Sequence, residues 1–256
     1  MKEKIKGFGQ DPYEFIIERF RKGYTHVLLG ENHSSRAIHR FTANFVERLA
    51  EDLPYITLCL EQEFFLQGAI DQYIKDGKHD SFRIILEREK QLTEQGISSG
   101  VRLNSRYYNI IKIARACKVP VMAIDRNLDE TSREEICEYF LERDKFMGER
   151  IPKNKNCLVY VGAGHIMKDI NAEHSIYEIL KNNGINAYSI LQEDMRKECC
   201  IFTKDFNEKM YKFLNETRAF DLREIRLQEI LDWSIKDLEI INMLYNMFDG
   251  LIFHTL

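Results

Sequence analysis

The sequence lacks a long hydrophobic run and the cysteine motifs of metal ribbons or redox proteins. No stretch approaches the ~20 apolar residues that a transmembrane helix needs. No apolar segment follows the charged start, so we expect neither a secretory signal nor a membrane anchor. The 6 cysteines include no C-x-x-C pair, which argues against a zinc ribbon or a thioredoxin-like site. We therefore predict a cytoplasmic protein whose thiols are reduced and structural.

The sequence also lacks an interdomain linker and internal repeats. Only 4 prolines occur in 256 residues, and no Pro/Gly/Ser-rich linker separates two halves. No internal repeat is found, which excludes solenoids and propellers. Basic residues are scattered and the net charge is -4, so the sequence shows no basic patch that would bind nucleic acid or an anionic membrane. We predict a single α/β domain over residues 1–256 that acts on a small molecule, and nothing in the sequence specifies an oligomeric state.

Short apolar runs alternate with helical patterns along the chain. We predict five strands from these runs, over residues 26–30, 56–60, 119–124, 157–161 and 187–191. The alternation of strands and helices predicts a mostly parallel sheet with helices on both faces. Because the runs are continuously apolar, we expect the strands to be buried on both sides.

Two segments of the chain are additional to the strands and crossover helices of a minimal doubly wound fold. Residues 62–118 separate the second and third predicted strands, and we expect a helical insertion there that covers the site as a cap. Residues 193–256 are rich in helical patterns, and we expect them to pack on the same core as a C-terminal extension. The apolar run 250–253 within that extension predicts one further strand.

Ionisable side chains follow the last apolar residue of four predicted strands. These side chains are Glu31 and His33, then Glu61, then Asp125 and Arg126, and finally His165. Because ligands of open α/β sheets bind outside the carboxyl ends of the strands, we predict that these residues share one site. Gly164 precedes the second histidine and would let the backbone approach a ligand closely.

The other polar groups have more ordinary interpretations. His26, His39, His79 and His174 are predicted to lie on the surface, and His254 is not assigned to the site. By helical spacing alone, Arg143 and Asp144 belong to a solvated face.

Motifs of several common enzyme classes are absent. The segment from Gly162 to Gly164 begins like a dinucleotide fingerprint, but Met167 stands where the third glycine belongs. No P-loop and no G-x-S-x-G elbow occurs.

Four short motifs, in order over roughly residues 20–192, resemble those of the erythromycin esterase/ChaN-like superfamily, which includes Tiki/TraB-like proteins. They are Gly30-Glu31-Asn32-His33, Leu60-Glu61, Arg143-Asp144-x-x-Met147 and Gly162-Ala163-Gly164-His165. The resemblance implies a βα scaffold with one polar cleft, and it adds Arg143 and Asp144 to the candidate residues. It also implies water activation by His and Glu in esterase-like members, a divalent metal in Tiki-like members, and haem or iron in ChaN-like members.

Three functions are compatible with these residues. In the first, the protein is a hydrolase of an ester, lactone or amide-like bond, and His33 or His165 is the general base on water. Glu61 or Glu31 would orient that base, as the acid does in a catalytic triad. The other histidine would stabilise the oxyanion together with Arg126 or Arg143. The expected substrate contacts are Asp125, Asp144 and Gly164.

The second hypothesis adds a divalent metal to the same site. Zinc, manganese or iron would be held by Glu31, His33, Glu61 and His165, and the metal would lower the pKa of a bound water. In the third hypothesis the protein binds haem or another small ligand without catalysis. Tyr24, Tyr107, Tyr108 and the two histidines are its candidate axial ligands.

Overall fold

The computed structural model describes residues 9–33, 35–94, 106–127, 136–168, 175–196, 204–214, 216–229 and 233–255. Within these ranges, strands from both ends of the chain join one seven-stranded sheet. The strands are β1 (His26–Glu31), β2 (Thr57–Glu63), β3 (Val121–Asp125), β4 (Cys157–Gly162), β5 (Ala187–Asp194), β6 (Arg218–Asp221) and β7 (Gly250–His254).

The order across the sheet is β3-β2-β4-β1-β5-β7-β6. All neighbouring strands run parallel except β6, which is antiparallel to β7. The predicted α/β class is therefore confirmed, and so is the further strand in the C-terminal extension. β6 was not predicted, because its four residues carry too short a pattern.

Helices cover both faces of the sheet. They are α1 (Pro12–Arg21), α2 (Arg36–Asp52), α3 (Gln67–Asp76), α4 (His79–Glu94), α5 (Arg106–Ala116), α6 (Ile136–Arg150), α7 (Ile176–Asn182), α8 (Lys204–Phe213) and α9 (Ile235–Met247). Helices α1–α5 contribute to the apolar core on one face, and α6–α9 contribute to the core on the other. None of the helices in the described ranges combines the length and apolar character that a bilayer crossing requires.

The described part of the 62–118 segment forms one layer of the fold. Its helices α3, α4 and α5 bury apolar side chains such as Ile70, Phe82 and Ile110 in the first core. Their contribution to the candidate site is one tyrosine, Tyr107, among the residues that the structure describes in this segment.

Two histidines that were predicted at the surface are buried. The exposed fraction is 0% for His26 and 3% for His39. His26 is the first residue of β1, where its Nε2 lies 2.8 Å from the carbonyl oxygen of Pro152. The surface prediction was wrong because single-residue polarity does not reveal such buried partners, whereas His79 is exposed as expected. His174 lies outside the described residues.

Candidate functional site

The candidate site lies where β1, β2 and β4 end side by side. β4 is hydrogen-bonded to both β1 and β2, and Glu31 pairs in register with Gly162. A parallel sheet brings the carboxyl ends of its strands to one edge, so residues distant in sequence meet there. Glu31, Glu61 and His165 converge in this way.

His33 is held by the acid two residues before it. Its Nδ1 lies 2.5 Å from Glu31 Oε1, and its side chain is 31% exposed whereas that of Glu31 is fully buried. On the other side of the ring, Nε2 lies 4.0 Å from Glu61 Oε2. A buried carboxylate thus orients a histidine whose ring reaches solvent.

His165 has the same arrangement with a different acid. Its Nδ1 lies 2.5 Å from Asp144 Oδ1, and its Nε2 lies 3.6 Å from Glu61 Oε1. The histidine comes from the 3-10 turn Ala163–Ile166 after β4, and the aspartate comes from α6. Both histidines therefore bind a carboxylate through Nδ1 and face Glu61 through Nε2.

Glu61 is the buried centre of the site. The backbone N–H of Gly162 donates to Oε2 at 2.7 Å, and Arg143 Nη2 donates to Oε1 at 2.6 Å. A carboxylate without such partners would be costly to bury. These bonds fix its two oxygens toward the two histidines.

Arg143 is buried, contrary to the solvated face that its helical spacing predicted. It makes a bidentate pair with Asp125, through Nε at 2.7 Å and Nη2 at 2.6 Å. Its Nη1 lies 3.4 Å from His165 Nε2. Polarity alone favours solvent, but the carboxylates at the sheet edge hold the guanidinium inside, as the family resemblance implied.

The charge state of His165 follows from its neighbours. Burial opposes a charged imidazole, but the nearby Glu61 and the hydrogen bond to Asp144 outweigh it and raise the pKa of His165 to about 9. His165 is therefore a cation at neutral pH, next to the Arg143 guanidinium.

Two predicted site residues point elsewhere. Arg126 Nη1 donates to Glu142 Oε2 at 2.6 Å on the outer face of α6. Gly164 is exposed, and a Cβ added there would meet nothing within 4 Å. At Gly162 the added Cβ would lie 3.2 Å from His33 Nε2 and 3.4 Å from His165 Cδ2. The glycine between the two rings is thus Gly162.

Sequence reasoning did not foresee the polar layer behind Glu31, in which Tyr107 had been considered only as a haem ligand. His39 Nε2 lies 3.3 Å from Glu31 Oε2, and Tyr107 donates to Oε1 at 3.0 Å. Tyr160 Oη lies 2.9 Å from His39 Nδ1. The only sequence signal for Tyr160 was a hydroxyl-bearing ring within the otherwise apolar strand β4, which suggests a buried hydrogen bond. His39 and Tyr107 resemble any helical histidine or tyrosine.

A divalent metal fits part of this constellation. Among the described residues, Glu31, His33 and Glu61 offer ligand atoms that all lie within 4.8 Å of one another. One imidazole and two carboxylates suit zinc, manganese or iron. His165 is not part of this group, since its Nε2 lies beside Arg143.

The tyrosines proposed as haem ligands are placed unfavourably for that role. Tyr107 is buried and hydrogen-bonded to Glu31. Tyr108 packs on Phe82 with ring centroids 4.0 Å apart. Tyr24 precedes β1 and therefore lies at the opposite edge of the sheet. His33, with its partly exposed ring, is the axial candidate that the site itself offers.

Fold and site together define an α/β protein with a buried His/Glu/Arg site at the carboxyl edge of a parallel sheet. Residues 19–134 match the family model described as haem-binding uptake, Tiki superfamily, ChaN. This match covers less than half of the chain and supports the ChaN-like superfamily assignment that the motifs predicted. No protein of curated function matches the sequence.

Solved structures show the same fold over nearly the whole chain. A Bacillus cereus protein aligns with a TM-score of 0.64 and 11% identity, over 90% of this chain and 88% of its own. A succinoglycan biosynthesis protein aligns with a TM-score of 0.64 and 11% identity, over 96% and 92%. ChaN of Campylobacter jejuni, solved with cofacial haem, aligns with a TM-score of 0.49 and 10% identity, over 94% and 91%. At these identities the alignments bear on the fold alone, and the first two carry that conclusion.

Proposed function

We propose that the protein is a hydrolase that activates water at this site to cleave an ester, lactone or amide-like bond. The observation that carries the proposal is the pair of histidines, each bound to a carboxylate through Nδ1 and facing the same Glu61 through Nε2. An imidazole oriented by a carboxylate is the proton acceptor of a catalytic triad.

The two histidines have different roles in this proposal. His33 is the general base, because Glu31 holds its Nδ1 and its ring is the more exposed of the two. His165 is the electrophile, because its pKa of about 9 keeps it charged at neutral pH. Together with Arg143, it stabilises the negative charge that develops on the substrate oxygen.

Water is the proposed nucleophile, since Ser35, a serine near the site among the described residues, uses its hydroxyl elsewhere. Ser35 follows the β1 turn, but its Oγ donates to Asp194 Oδ2 at 2.6 Å and caps α2 through Ile38 N. Cys59 and Cys157 are buried in the apolar core behind the site.

A divalent metal is compatible with the same chemistry. Glu31, His33 and Glu61 would hold it, and it would supply a bound water of lowered pKa. Glu31, Glu61, Asp125 and Asp144 outnumber the two cationic groups Arg143 and His165, so a bound cation would also balance buried negative charge.

Metal analysis by mass spectrometry tests this part of the proposal. The protein is purified without an affinity-metal step, as the wild type and as His33→Ala and His165→Ala. We expect near-stoichiometric metal that His33→Ala loses and His165→Ala retains, because only His33 belongs to the three-ligand group. If the wild-type protein contains no metal, the metal-dependent mechanism fails, and only water activation by His33 and Glu31 remains.

A panel of esters, lactones and amides tests the hydrolase itself. His33→Ala and His165→Ala should each lower kcat/KM by roughly 10²- to 10⁴-fold, as expected for the loss of a group that transfers protons or stabilises charge. His79→Ala is the control, since His79 is exposed on α4. Full activity in both site variants would contradict the shared site.

Haem binding is the second candidate function, favoured by the match to a haem-uptake family model. In that case His33 would be the axial ligand, and haem titration should give a Soret band that His33→Ala shifts or weakens. A wild-type protein that leaves the spectrum of free haem unchanged would rule this function out.

A further inference from the structure

Behind His33 lies a layer of buried polar side chains that the proposed mechanism does not use. The exposed fraction is 0% for Tyr160, 3% for His39 and 4% for Tyr107. They come from β4, α2 and α5 and meet around Glu31. Polar groups are costly to bury unless their hydrogen bonds are made, so their geometry constrains where the protons are.

The surroundings of His39 specify its tautomer. Its Nε2 hydrogen-bonds to the carbonyl oxygen of His33 at 3.3 Å, and it also lies 3.3 Å from Glu31 Oε2 in an ion-pair contact that lacks hydrogen-bond geometry. Nε2 must therefore carry a hydrogen, and in a neutral imidazole Nδ1 is then the acceptor. Tyr160 Oη, 2.9 Å from Nδ1, can donate to it.

The position of the hydrogen on His33 follows from the groups around Glu31. Glu31 accepts from Tyr107 and is faced by His39, and an ionised carboxylate can only accept. His33 must therefore place its hydrogen on Nδ1, toward Glu31 Oε1. That tautomer leaves the acceptor lone pair on Nε2, on the side of Glu61, where both a general base and a metal ligand need it.

We infer that Tyr160 and His39 are positioning residues, which act through the backbone carbonyl of His33 and the adjacent Glu31 carboxylate to hold His33 in its Nδ1–H tautomer. Tyr160 donates to His39, His39 Nε2 donates to the carbonyl oxygen of His33 and lies beside Glu31 Oε2, and Glu31 Oε1 accepts from His33 Nδ1. The catalytic consequence rests on the proposed function, but the tautomers do not. Ligand-orienting hydrogen bonds of this kind are worth roughly 10- to 100-fold in activity or metal affinity.

The first test is ¹⁵N NMR of the histidine rings at neutral pH in metal-free protein. In the wild type we expect neutral His39 with hydrogen on Nε2 and His33 with hydrogen on Nδ1. In Tyr160→Phe, which keeps the packed ring, we expect the resonances of His39 to shift toward a tautomer mixture and the Nδ1–H signal of His33 to weaken. The matched control is Tyr188→Phe, which removes an equally buried hydroxyl that donates to the carbonyl oxygen of Asp249.

A double variant separates positioning from general damage. In His39→Gln the amide nitrogen can donate to the carbonyl oxygen of His33, beside Glu31, whether or not Tyr160 is present. His33 should then keep its Nδ1 hydrogen, and adding Tyr160→Phe should have no further effect on His33. His39→Leu, which has no donor, should lose the Nδ1–H signal of His33. Such a coupling between the two positions is what a double-mutant cycle detects.

Kinetics supply the second readout once a substrate is found. Tyr160→Phe should lower kcat by roughly 10- to 100-fold with little change in KM, and His39→Gln should lose much less than His39→Leu. A charged His39, a hydrogen on its Nδ1, or unchanged rings in Tyr160→Phe would overturn the inference. If the tautomers are as stated but no bond is cleaved, the hydrolase proposal fails and the positioning network stands.

Discussion

At the scale of single residues, the site is defined by close approaches that leave little room for change. Gly162 lies between the two imidazoles, and its N–H binds Glu61. Arg143 joins Glu61 to Asp125 in the buried interior. The atoms nearest to a Cβ added at Gly162 belong to site side chains and not to the apolar core. A small shift at Gly162 should therefore change the activity of the site more than the stability of the fold.

Gly162→Ala tests this directly. The new Cβ would lie 3.2 Å from His33 Nε2, so that ring must move by a few tenths of an ångström, and it would touch Glu61 Oε2 at 3.4 Å. We expect about a 10-fold loss of activity or metal affinity with little change in melting temperature, since catalysis depends on sub-ångström placement. Gly164→Ala is the control because its Cβ meets nothing within 4 Å. Equal behaviour of the two variants would contradict the placement of the site.

The raised pKa of His165 predicts a pH dependence of stability. The native ring keeps its proton up to about pH 9, whereas the unfolded chain loses it near 6.5. The contribution to stability is therefore complete below about pH 6.5 and is lost as the pH rises through about 9, for a total of up to about 3 kcal/mol.

Urea denaturation of metal-free protein between pH 6 and 10 measures this contribution. The free energy of unfolding of the wild type should fall across that window. In Asp144→Asn the fall should be smaller, because the charged form of His165 loses a partner. Identical slopes for the two proteins would show that Asp144 does not raise the pKa.

At the scale of elements, one edge strand is closed by a side chain. β3 is the outer strand next to β2, and Gln67 of α3 satisfies its open edge. Gln67 Nε2 donates to the carbonyl oxygen of Val121 at 2.9 Å, and Ala123 N donates to Gln67 Oε1 at 2.7 Å. The amide thus takes the place of a neighbouring strand, which protects an edge that would otherwise invite pairing with another chain.

Gln67→Ala should destabilise the fold by about 1–3 kcal/mol, because it leaves two backbone groups of β3 without these bonds. The free energy of unfolding in urea is the measurement. Gln72→Ala is the matched control on the same helix, since Gln72 is exposed and binds Asp76. If both variants lose the same stability, the amide does not act as a strand partner.

At the scale of the whole molecule, the C-terminal extension continues the sheet. β7 pairs with β5, and β6 pairs with β7, so the extension supplies two of the seven strands. Its side chains, such as Phe220 and Phe253, belong to the same apolar core as Val161 of β4. We therefore propose that residues 1–256 fold as one unit.

A chain truncated after residue 196 tests that proposal. Without β6, β7 and their helices, β5 becomes an exposed parallel edge and the second core is opened. We expect the truncated chain to be insoluble or to melt without cooperativity, as monitored by circular dichroism. Co-expression with residues 197–256 should restore a cooperative transition, and a truncated chain that is stable by itself would indicate two domains.

The elements that sequence reasoning predicted well are those with a local cause. The apolar runs of β1, β2, β4 and β5 indicated buried strands. The end of each run also predicted where the turn after that strand begins. β6 and the buried positions of His26 and His39 were missed, because their partners are far away in the sequence. Arg143 was predicted to be solvated from its helical spacing, and it is buried because two acids at the sheet edge, Glu61 and Asp125, pair with its guanidinium.

The sequence by itself determined the α/β class, the strand ends and most of the residues at the candidate site, because strand burial and chain polarity are local properties. The tertiary structure decided which of those residues meet. The order of strands placed β4 between β1 and β2, and this order made Glu61 the group that both histidines face. The tertiary structure also gave His33 and His165 different neighbours, and it paired Arg126 with Glu142 outside the site. These pairings depend on distances between residues that are far apart in the sequence, which a local pattern cannot predict.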